Sequence, residues 1–135
     1  MYMLDTNVCI DFLRGKNPNI YALMKRSDPS IFKIPAIVEA ELRLGTHKSA
    51  NPEKNRFLVE QFVAQFEVIP FDSKCAGHYA ALRAELETNG NVIGPNDMLI
   101  AATALGNGAT LVTNNVREFN RVPNLQLESW EEIDF

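Results

Sequence analysis

The sequence has no apolar run long enough to cross a membrane, few cysteines and no excess of basic residues. Its 135 residues are 46% hydrophobic and 22% charged, which is ordinary for one folded domain with one core. Every apolar stretch is shorter than the roughly twenty residues of a membrane-spanning helix, and no signal peptide is recognisable. We therefore expect a single domain, residues 1–135, in the cytoplasm and without membrane contact.

The two cysteines and the net charge of −4 exclude further classes of protein. Cys9 and Cys75 match no metal-binding spacing, so we expect two buried free thiols in a reducing compartment. The surplus of acidic residues disfavours broad, non-specific binding of nucleic acid, which requires a basic face. An enzyme that cleaves a phosphodiester with the help of metal ions remains compatible with this charge, because the ions supply the positive charge.

Strand-like and helix-like segments alternate along the chain. Helical patterns of ten or more residues between the strands imply crossover connections, so the fold class is α/β with a mostly parallel central sheet of four or five strands flanked by helices. In such sheets ligands bind beyond the carboxyl ends of the strands. The predicted strands are Tyr2–Asp5, Ile31–Ile34, Glu67–Phe71, Ala109–Thr113 and Leu125–Ser129.

The helices are predicted from their start and stop signals. The pair Asn17 and Pro18 starts a helix that ends near Ser27, and Pro35 starts one that Gly45 stops. Two later helices start at Asp72 and at Gly94-Pro95. The helix that opens at Asn51-Pro52 is expected to bury an apolar stripe formed by Phe57, Leu58, Phe62 and Phe66.

Three acidic residues interrupt apolar patterns that would otherwise be buried. Asp5 ends the first strand. Glu41 shares a helix face with Ile37 and Leu44, which predicts that it points inward, and Asp97 lies on the apolar face of its own helix. Taken singly, Asp5 could cap the next helix, Asp97 could be a capping acid of the first turn, and Glu41 could turn out to solvent.

Taken together, the three acids indicate a cation site, because strand ends and helix starts meet in one crevice of a parallel sheet. Three ionised carboxylates about 5 Å apart would repel by roughly 10 kcal/mol in total at an effective dielectric constant of about 20. That is comparable with the whole stability of a domain, about 5–15 kcal/mol. Such a cluster requires protonation or a bound cation, and oxygen ligands without His or Cys select Mg²⁺ or Mn²⁺.

Four motifs follow one another in the chain: LDTNVCID from Leu4, EAELRLG from Glu39, IGPNDMLIAATAL from Ile93 and LVTNNVREF from Leu111. In this order and spacing they resemble the PIN-domain ribonuclease toxins of VapC type, and the resemblance covers essentially the whole chain. It implies a PIN-like α/β/α domain and an endoribonuclease that hydrolyses an RNA phosphodiester with Mg²⁺ or Mn²⁺ to inhibit translation. The expected substrate is tRNA, and relatives in enteric bacteria suggest the anticodon stem-loop of the initiator tRNA.

Carried over residue by residue, the resemblance assigns catalysis and metal binding to Asp5, Glu41 and Asp97. Thr6 and Asn7, which follow the first acid, are expected to orient carboxylates and waters. Asn7 could equally be only a helix cap.

The family's fourth acid usually ends a Thr-x-Asp step, and this chain departs from that pattern. The step reads Thr113-Asn114-Asn115, so Asn115 occupies the place of the acid, and Glu118 is the nearest carboxylate that could replace it. We expect Asn115 and Glu118 in the catalytic site, with a direct metal bond open for either, and Thr113 as a further orienting group. The departure concerns a second metal ion and leaves the three-acid site unchanged.

Basic residues near the four motifs are candidates for RNA binding, although each could be an ordinary solvated charge. No catalytic role is expected for His47 and His78, which fall in no catalytic pattern. The candidates are Arg14, Lys16, Arg43, Lys48, Arg117 and Arg121.

The resemblance also implies partners. VapC-type toxins are made with a small antitoxin whose C-terminal segment covers the acidic site, while DNA is bound only through the antitoxin. A homodimer and a toxin–antitoxin hetero-oligomer are expected. Apolar residues of the helices near 18–27 and 52–66 could form the groove for this segment, or could simply belong to the core.

Other α/β classes fit less well. An aspartyl-phosphate phosphatase needs a second aspartate two positions after Asp5, where Asn7 stands, and a dinucleotide fold needs a glycine-rich turn there. A receiver domain needs an acidic pair near the start, which is missing. The alternative from a different class is a catalytically weak PIN-like domain that mainly binds its antitoxin in an autoregulatory DNA-binding complex.

Overall fold

The centre of the fold is a parallel sheet in which the first strand of the chain lies in the middle. The structure, a computed structural model, describes residues 1–130, so the last five residues of the predicted domain lie outside the described part. The five strands run in the order β3-β2-β1-β4-β5 and all neighbours are parallel, which confirms the predicted α/β class. The strands are β1 (Tyr2–Leu4), β2 (Phe32–Pro35), β3 (Glu67–Ile69), β4 (Thr110–Val112) and β5 (Gln126–Glu128).

Helices cover both faces of this sheet, and most of them start where the sequence signals predicted. Asn17 and Asp72 accept hydrogen bonds from the first backbone N–H groups of their helices, and Gly15 ends the first helix with a φ of 63°. A 3-10 turn at Pro29–Ile31 occupies the residue at which the second strand was predicted to begin. The helices are α1 (Thr6–Arg14), α2 (Pro18–Arg26), α3 (Ala36–Lys48), α4 (Pro52–Val63), α5 (Ser73–Thr88), α6 (Pro95–Gly106) and α7 (Val116–Phe119).

Helix α3 does not stop at Gly45, contrary to the prediction, but continues to Lys48. Its buried residues are Val38, Leu42 and Thr46, each four positions after the last, so the side of the helix that faces the core continues past the glycine. A glycine costs a helix about 1 kcal/mol relative to alanine, and burial of the next turn outweighs that cost.

Replacing Gly45 by alanine is therefore expected to raise the free energy of unfolding by about 0.5–1 kcal/mol, because the glycine is inside a helix. A Cβ at Gly45 would have no heavy atom within 4 Å, so nothing opposes the gain. Urea unfolding measures it. Gly106, where a Cβ would lie 3.1 Å from Cys75 Sγ and 3.4 Å from its Cα, is the matched control: Gly106→Ala should give no such gain. Equal gains at both positions would contradict the explanation.

Helix α4 buries a different face from the predicted one. Phe57 and Leu58 are 60% and 43% exposed, whereas Val59 and Val63 are buried. Of the predicted stripe, Phe62 is buried and Phe66 is half-buried beyond the helix end. The helix is apolar on more than one side, and within residues 1–130 it packs mainly against α3 and α1, so composition alone could not identify the buried face.

The core lies between the sheet and the helices on each side. Trp130 packs against Phe32 with ring centroids 5.4 Å apart, and close packing of α5 on α6 brings Gly106 against Cys75. Cys9 and Cys75 are free and buried, as predicted. Within residues 1–130, none of the helices is both long and apolar enough to cross a membrane.

Candidate active site

Asp5 stands at the carboxyl end of the central strand and begins α1. Its backbone N–H still donates to Val112 O at 2.9 Å, which fixes the residue at the end of the sheet. The residue is only 4% exposed; Oδ1 accepts from the Thr6 N–H at 2.8 Å and Oδ2 accepts from the Thr113 hydroxyl at 2.7 Å. The capping alternative is therefore correct for Oδ1, while Oδ2 connects Asp5 to the end of β4.

Burial raises the pKa of Asp5, because a buried carboxylate loses the water that stabilises its charge. The hydrogen bonds from Thr113 and Thr6 lower it, and the negative charges of Glu41 and Glu118 raise it again. Glu41 and Glu118 come from α3 and α7, and both lie close enough to Asp5 for their charges to affect its pKa.

Glu41 reaches the same crevice from α3. Its Oε1 accepts from the Thr6 hydroxyl at 2.9 Å, so it neither turns to solvent nor lies in the core. The prediction assumed that Glu41 points inward because it shares a face with Ile37 and Leu44. That face is not the buried one, because Leu44 is 53% exposed. Glu41 instead borders the buried residues Val38 and Leu42, at the rim of the crevice, where a carboxylate keeps contact with water.

Asp97 lies in the first turn of α6, as predicted, on the side of the buried Ile100 and Ala101. It does not cap the helix, since α6 has no side-chain capping bond. Burial, a hydrogen bond to Glu118 and the charges of Glu118, Asp5 and Glu41 raise its pKa from 3.8 to about 7. Its main electrostatic neighbours are all carboxylates.

Glu118 on α7 is held by hydrogen bonds from two sides. Its Oε1 accepts from the Gly94 N–H at 2.9 Å, and its Oε2 accepts from Asn115 Nδ2 at 2.6 Å. The bond from Gly94 is the main cause of a lowered pKa, and Asn115, Asp97 and the charge of Arg121 act in the same direction. The pKa of Asp97 is therefore raised and that of Glu118 lowered, and the two acids titrate as a coupled pair.

Asn115 and Thr113 connect Glu118 to Asp5. The backbone N–H of Asn115 donates to Thr113 Oγ1 at 2.9 Å, and that hydroxyl donates to Asp5 Oδ2. The crevice thus combines seven of the residues singled out in the sequence. They are Asp5, Thr6, Glu41, Asp97, Thr113, Asn115 and Glu118.

Asn7 is not drawn into this network. It is exposed in the first turn of α1, and Asp5 is the residue that caps the helix. Both histidines are exposed as well.

The six basic residues have different surroundings. Arg43 is paired with Glu39 of its own helix at 2.7 Å, and Arg121 donates to Val92 O at 3.1 Å, so both have protein partners. Arg14 lines a groove that also contains Glu41. The other three, Lys16, Lys48 and Arg117, are exposed.

Two features of the site have no counterpart in the sequence analysis. Asn114 Nδ2 donates to Asp11 Oδ2 at 3.1 Å, and Asn114 Oδ1 is buried without a partner among residues 1–130. The other is the bond from the Gly94 backbone to Glu118, across 24 positions of the chain. Asp11 is the last residue of the first motif, and that position could have identified it as part of the site. The Gly94 N–H is a backbone group, so no pattern of side chains could have predicted its bond to Glu118.

A groove of about 210 Å³ between α1, α3 and α4 opens beside Glu41. Apolar side chains from all three helices line it, together with the charged residues Arg14 and Glu41. The apolar contributors are Ile10, Leu13, Leu42, Leu58 and Val59.

The acids fit a hard divalent cation by their chemistry, since all their ligand atoms are oxygens. As placed, no three Asp, Glu, His or Cys side chains of residues 1–130 form a group that could hold a metal ion. Glu41 is bonded to Thr6 and Asp97 to Glu118 instead. A carboxylate has two oxygens, so Glu41 can keep its bond to Thr6 through Oε1 and offer its other oxygen to an ion.

The sequence matches the PIN domain family over residues 2–125. It is 44% identical over 133 residues to Ribonuclease VapC2 of Rickettsia felis, with 97% of this chain and 98% of the relative covered. It is 40% identical over 129 residues to the tRNA(fMet)-specific endonuclease VapC of Salmonella typhimurium, covering 96% and 97%.

Solved structures agree with the sequence matches. DNA-bound VapBC from Salmonella typhimurium superposes with a TM-score of 0.90 at 39% identity, covering 96% of this chain and 97% of the other. VapBC2 from Rickettsia felis, bound to a DNA fragment from their promoter, gives 0.86 at 41% identity, covering 96% and 98%. Sequence and fold agree over nearly the whole length, and the chain belongs to the PIN-domain family, among its VapC-type ribonucleases.

Proposed function

We propose that this chain is the toxin of a type II toxin–antitoxin module and acts in the cytoplasm as a metal-dependent endoribonuclease. The observation that carries the proposal is the convergence of Asp5, Glu41, Asp97 and Glu118: burial raises the pKa values of Asp5 and Asp97, and the negative charges of the neighbouring acids raise them further. Such an arrangement is costly for the folded chain, and a bound divalent ion would remove the cost.

Asp5, Glu41 and Asp97 are the residues proposed to hold Mg²⁺ or Mn²⁺. When bound, the ion supplies an acidified water and positive charge for the phosphodiester hydrolysis. Thr6 holds Glu41, and Thr113 holds Asp5, each by a single hydroxyl bond, so these two residues fix the direction of the carboxylates. No histidine is needed as a general base. Arg14, Lys16, Lys48 and Arg117 are proposed to contact the RNA backbone, with Arg43 and Arg121 less available because of their protein partners.

The substrate we propose is tRNA, by analogy with the Salmonella relative, whose name specifies tRNA(fMet). The initiator anticodon stem-loop is the first candidate. Asn7, exposed at the start of α1 beside Asp5, is proposed to orient a water or a substrate group there.

The groove beside Glu41 is the proposed seat of the antitoxin's C-terminal segment. It offers apolar walls from three helices and includes Glu41, and the exposed Phe57 and Leu58 enlarge the apolar surface on α4. Ile20 and Met24, also considered for this groove, belong to the core. A homodimer and a hetero-oligomer with the antitoxin are proposed, with DNA contacted only by the antitoxin.

The test is incubation of the purified, antitoxin-free chain with total tRNA, in Mg²⁺, in Mn²⁺ and in a chelator. We expect a discrete product with either metal and none with the chelator, because the acids cannot stabilise the developing negative charge alone. Initiator and elongator methionine tRNAs, supplied separately, distinguish a specific from a general activity. If folded protein cleaves nothing with any metal, the catalytically weak, antitoxin-binding alternative is the better interpretation.

A further inference from the structure

The side chain of Asn115 holds Glu118 in one orientation. Its Nδ2 lies 2.6 Å from Glu118 Oε2, and an ionised carboxylate can only accept hydrogen bonds, so the amide must present its NH₂ group to it. Asn115 occupies the position where the family usually has its fourth acid. An ionised acid there could not donate a hydrogen bond to Glu118, whereas the amide does.

The other oxygen of Glu118 is fixed by the start of α6. Oε1 accepts from the Gly94 N–H at 2.9 Å, and Gly94 is the N-cap of the helix that carries Asp97. A Cβ on Gly94 would lie 3.5 Å from Asp97 Oδ2 and 3.8 Å from Glu118 Oε1, so both carboxylates lie beside the residue that begins α6. With both oxygens held, Glu118 cannot rotate without breaking a hydrogen bond.

Asn115 is itself anchored on the side away from Glu118. Its backbone N–H donates to Thr113 Oγ1, and the same hydroxyl donates to Asp5. A continuous path of hydrogen bonds therefore leads from Asp5 through Thr113, Asn115 and Glu118 to Gly94, the residue that begins the helix of Asp97. One end of this path is Asp5, at the end of β1, and the other is Gly94, the N-cap of α6.

We infer that Asn115 is a positioning residue, whose amide aims the Glu118 carboxylate at Asp97, and that the pair of residues 115 and 118 works with one negative charge. An aspartate at position 115 would place two carboxylates at hydrogen-bonding distance with no proton between them. Restoring the family's usual acid would therefore damage this site unless Glu118 were made neutral. Only the catalytic consequence rests on the proposed ribonuclease function; the pairing itself stands on the contacts above.

The experiment compares Asn115→Asp, Asn115→Ala, Glu118→Gln and the double variant Asn115→Asp/Glu118→Gln, in the metal-free full chain at about pH 8. In the double variant, the new amide at position 118 can accept from Gly94 through its oxygen while its NH₂ group donates to the new carboxylate at position 115, so every bond is kept and only the charge moves. We expect Asn115→Ala to lower Tm by a few degrees. Asn115→Asp should lower it further, to about 5 °C or more below the unsubstituted chain. The double variant should recover most of that loss.

Asn120→Asp is the control for added charge. Asn120 is exposed at the end of the same short helix, and the substitution adds the same charge without facing Glu118. Its Tm should stay near that of the unsubstituted chain. An Asn115→Asp protein as stable as the Asn120→Asp protein, or a double variant no better than Asn115→Asp, would overturn the pairing.

RNA cleavage in Mn²⁺ tests the positioning role. We expect Asn115→Ala to lower kcat by about 10–100-fold with KM nearly unchanged, because a misaimed carboxylate affects the reaction and not the contacts to the RNA. Unchanged kcat in a variant with the lowered Tm would show a purely structural amide and overturn the inference. If the unsubstituted chain cleaves no RNA, the proposed function fails, and the Tm series still decides the pairing.

Discussion

Replacing Asp97 by asparagine is expected to reduce RNA cleavage at least about 100-fold and, at the same time, to stabilise the metal-free protein at about pH 8. The loss follows from removing a proposed metal ligand that the neighbouring acids cannot replace. The gain follows because the charge of Asp97 is opposed by burial and by Glu118, Asp5 and Glu41. Cleavage assays and thermal unfolding of the same preparations measure the two effects.

The gain in stability should depend on pH in one direction. The pKa of Asp97 is raised from 3.8 to about 7 in the folded chain, so the folded state binds this proton more tightly than the unfolded state. Its contribution to stability is fully present below the ordinary value and is lost as the pH rises through about 7. The lowered pKa of Glu118 acts oppositely and at lower pH, where its contribution is lost as the pH falls. The difference in Tm between Asp97→Asn and the unsubstituted chain should therefore grow from about pH 5 to about pH 8.

Asp72 provides the matched control. It is also an aspartate at the start of a helix, but it is exposed, and its pKa is lowered by the bond from the Cys75 N–H. Asparagine caps a helix as well as aspartate does, so Asp72→Asn should leave cleavage unchanged and should not stabilise the protein at any pH. If Asp97→Asn destabilised the metal-free chain at about pH 8, the electrostatic account of the crevice would be wrong.

The sequence allowed prediction of the elements of the site but not of how they are connected. The parallel sheet followed from the alternation of strands and long helical patterns, and Asp5 was correctly placed at a strand end because a carboxylate there breaks an apolar run. The capping interpretation of Asp5 is confirmed, since one oxygen caps α1, and the other oxygen meets Thr113. The sequence pattern cannot predict which partner binds each of the two oxygens of one carboxylate.

Glu41 shows how a position can be predicted for the wrong reason. The pattern places Glu41 on the inward face of α3 because it shares a side with Leu44, but Leu44 is exposed. Glu41 instead lies at the rim of the crevice, where it accepts a hydrogen bond from Thr6. The wrong prediction for α4 has the same origin. Apolar residues such as Phe57 lie on more than one side of this helix, and tertiary packing determines which side is buried. The bond from Gly94 to Glu118 depends on a backbone group and on long-range placement, and no local pattern encodes it.

Removing the hydroxyl of Thr113 is expected to cost both stability and activity. Thr113 is fully buried; its hydroxyl donates to Asp5 Oδ2 at 2.7 Å and accepts from the Asn115 N–H at 2.9 Å. Thr113→Val keeps the shape but leaves a buried carboxylate oxygen and a partly buried N–H without this partner, which costs about 1–3 kcal/mol for a group left unsatisfied, with the larger part from the carboxylate. RNA cleavage should fall about 10–100-fold, since Asp5 loses the group that orients it.

Thr103→Val separates this effect from the loss of any buried hydroxyl. Thr103 is equally buried, but its hydroxyl donates only to Leu99 O within α6, a carbonyl that already accepts within the helix. Urea unfolding and cleavage should therefore change little in Thr103→Val and strongly in Thr113→Val. Because the bond from Thr113 lowers the pKa of Asp5, its removal leaves burial less opposed and raises that pKa further. The activity of Thr113→Val should consequently recover in part as the pH is raised, whereas a loss that is the same at every pH would mean that Thr113 holds the position of Asp5 and does not govern its charge.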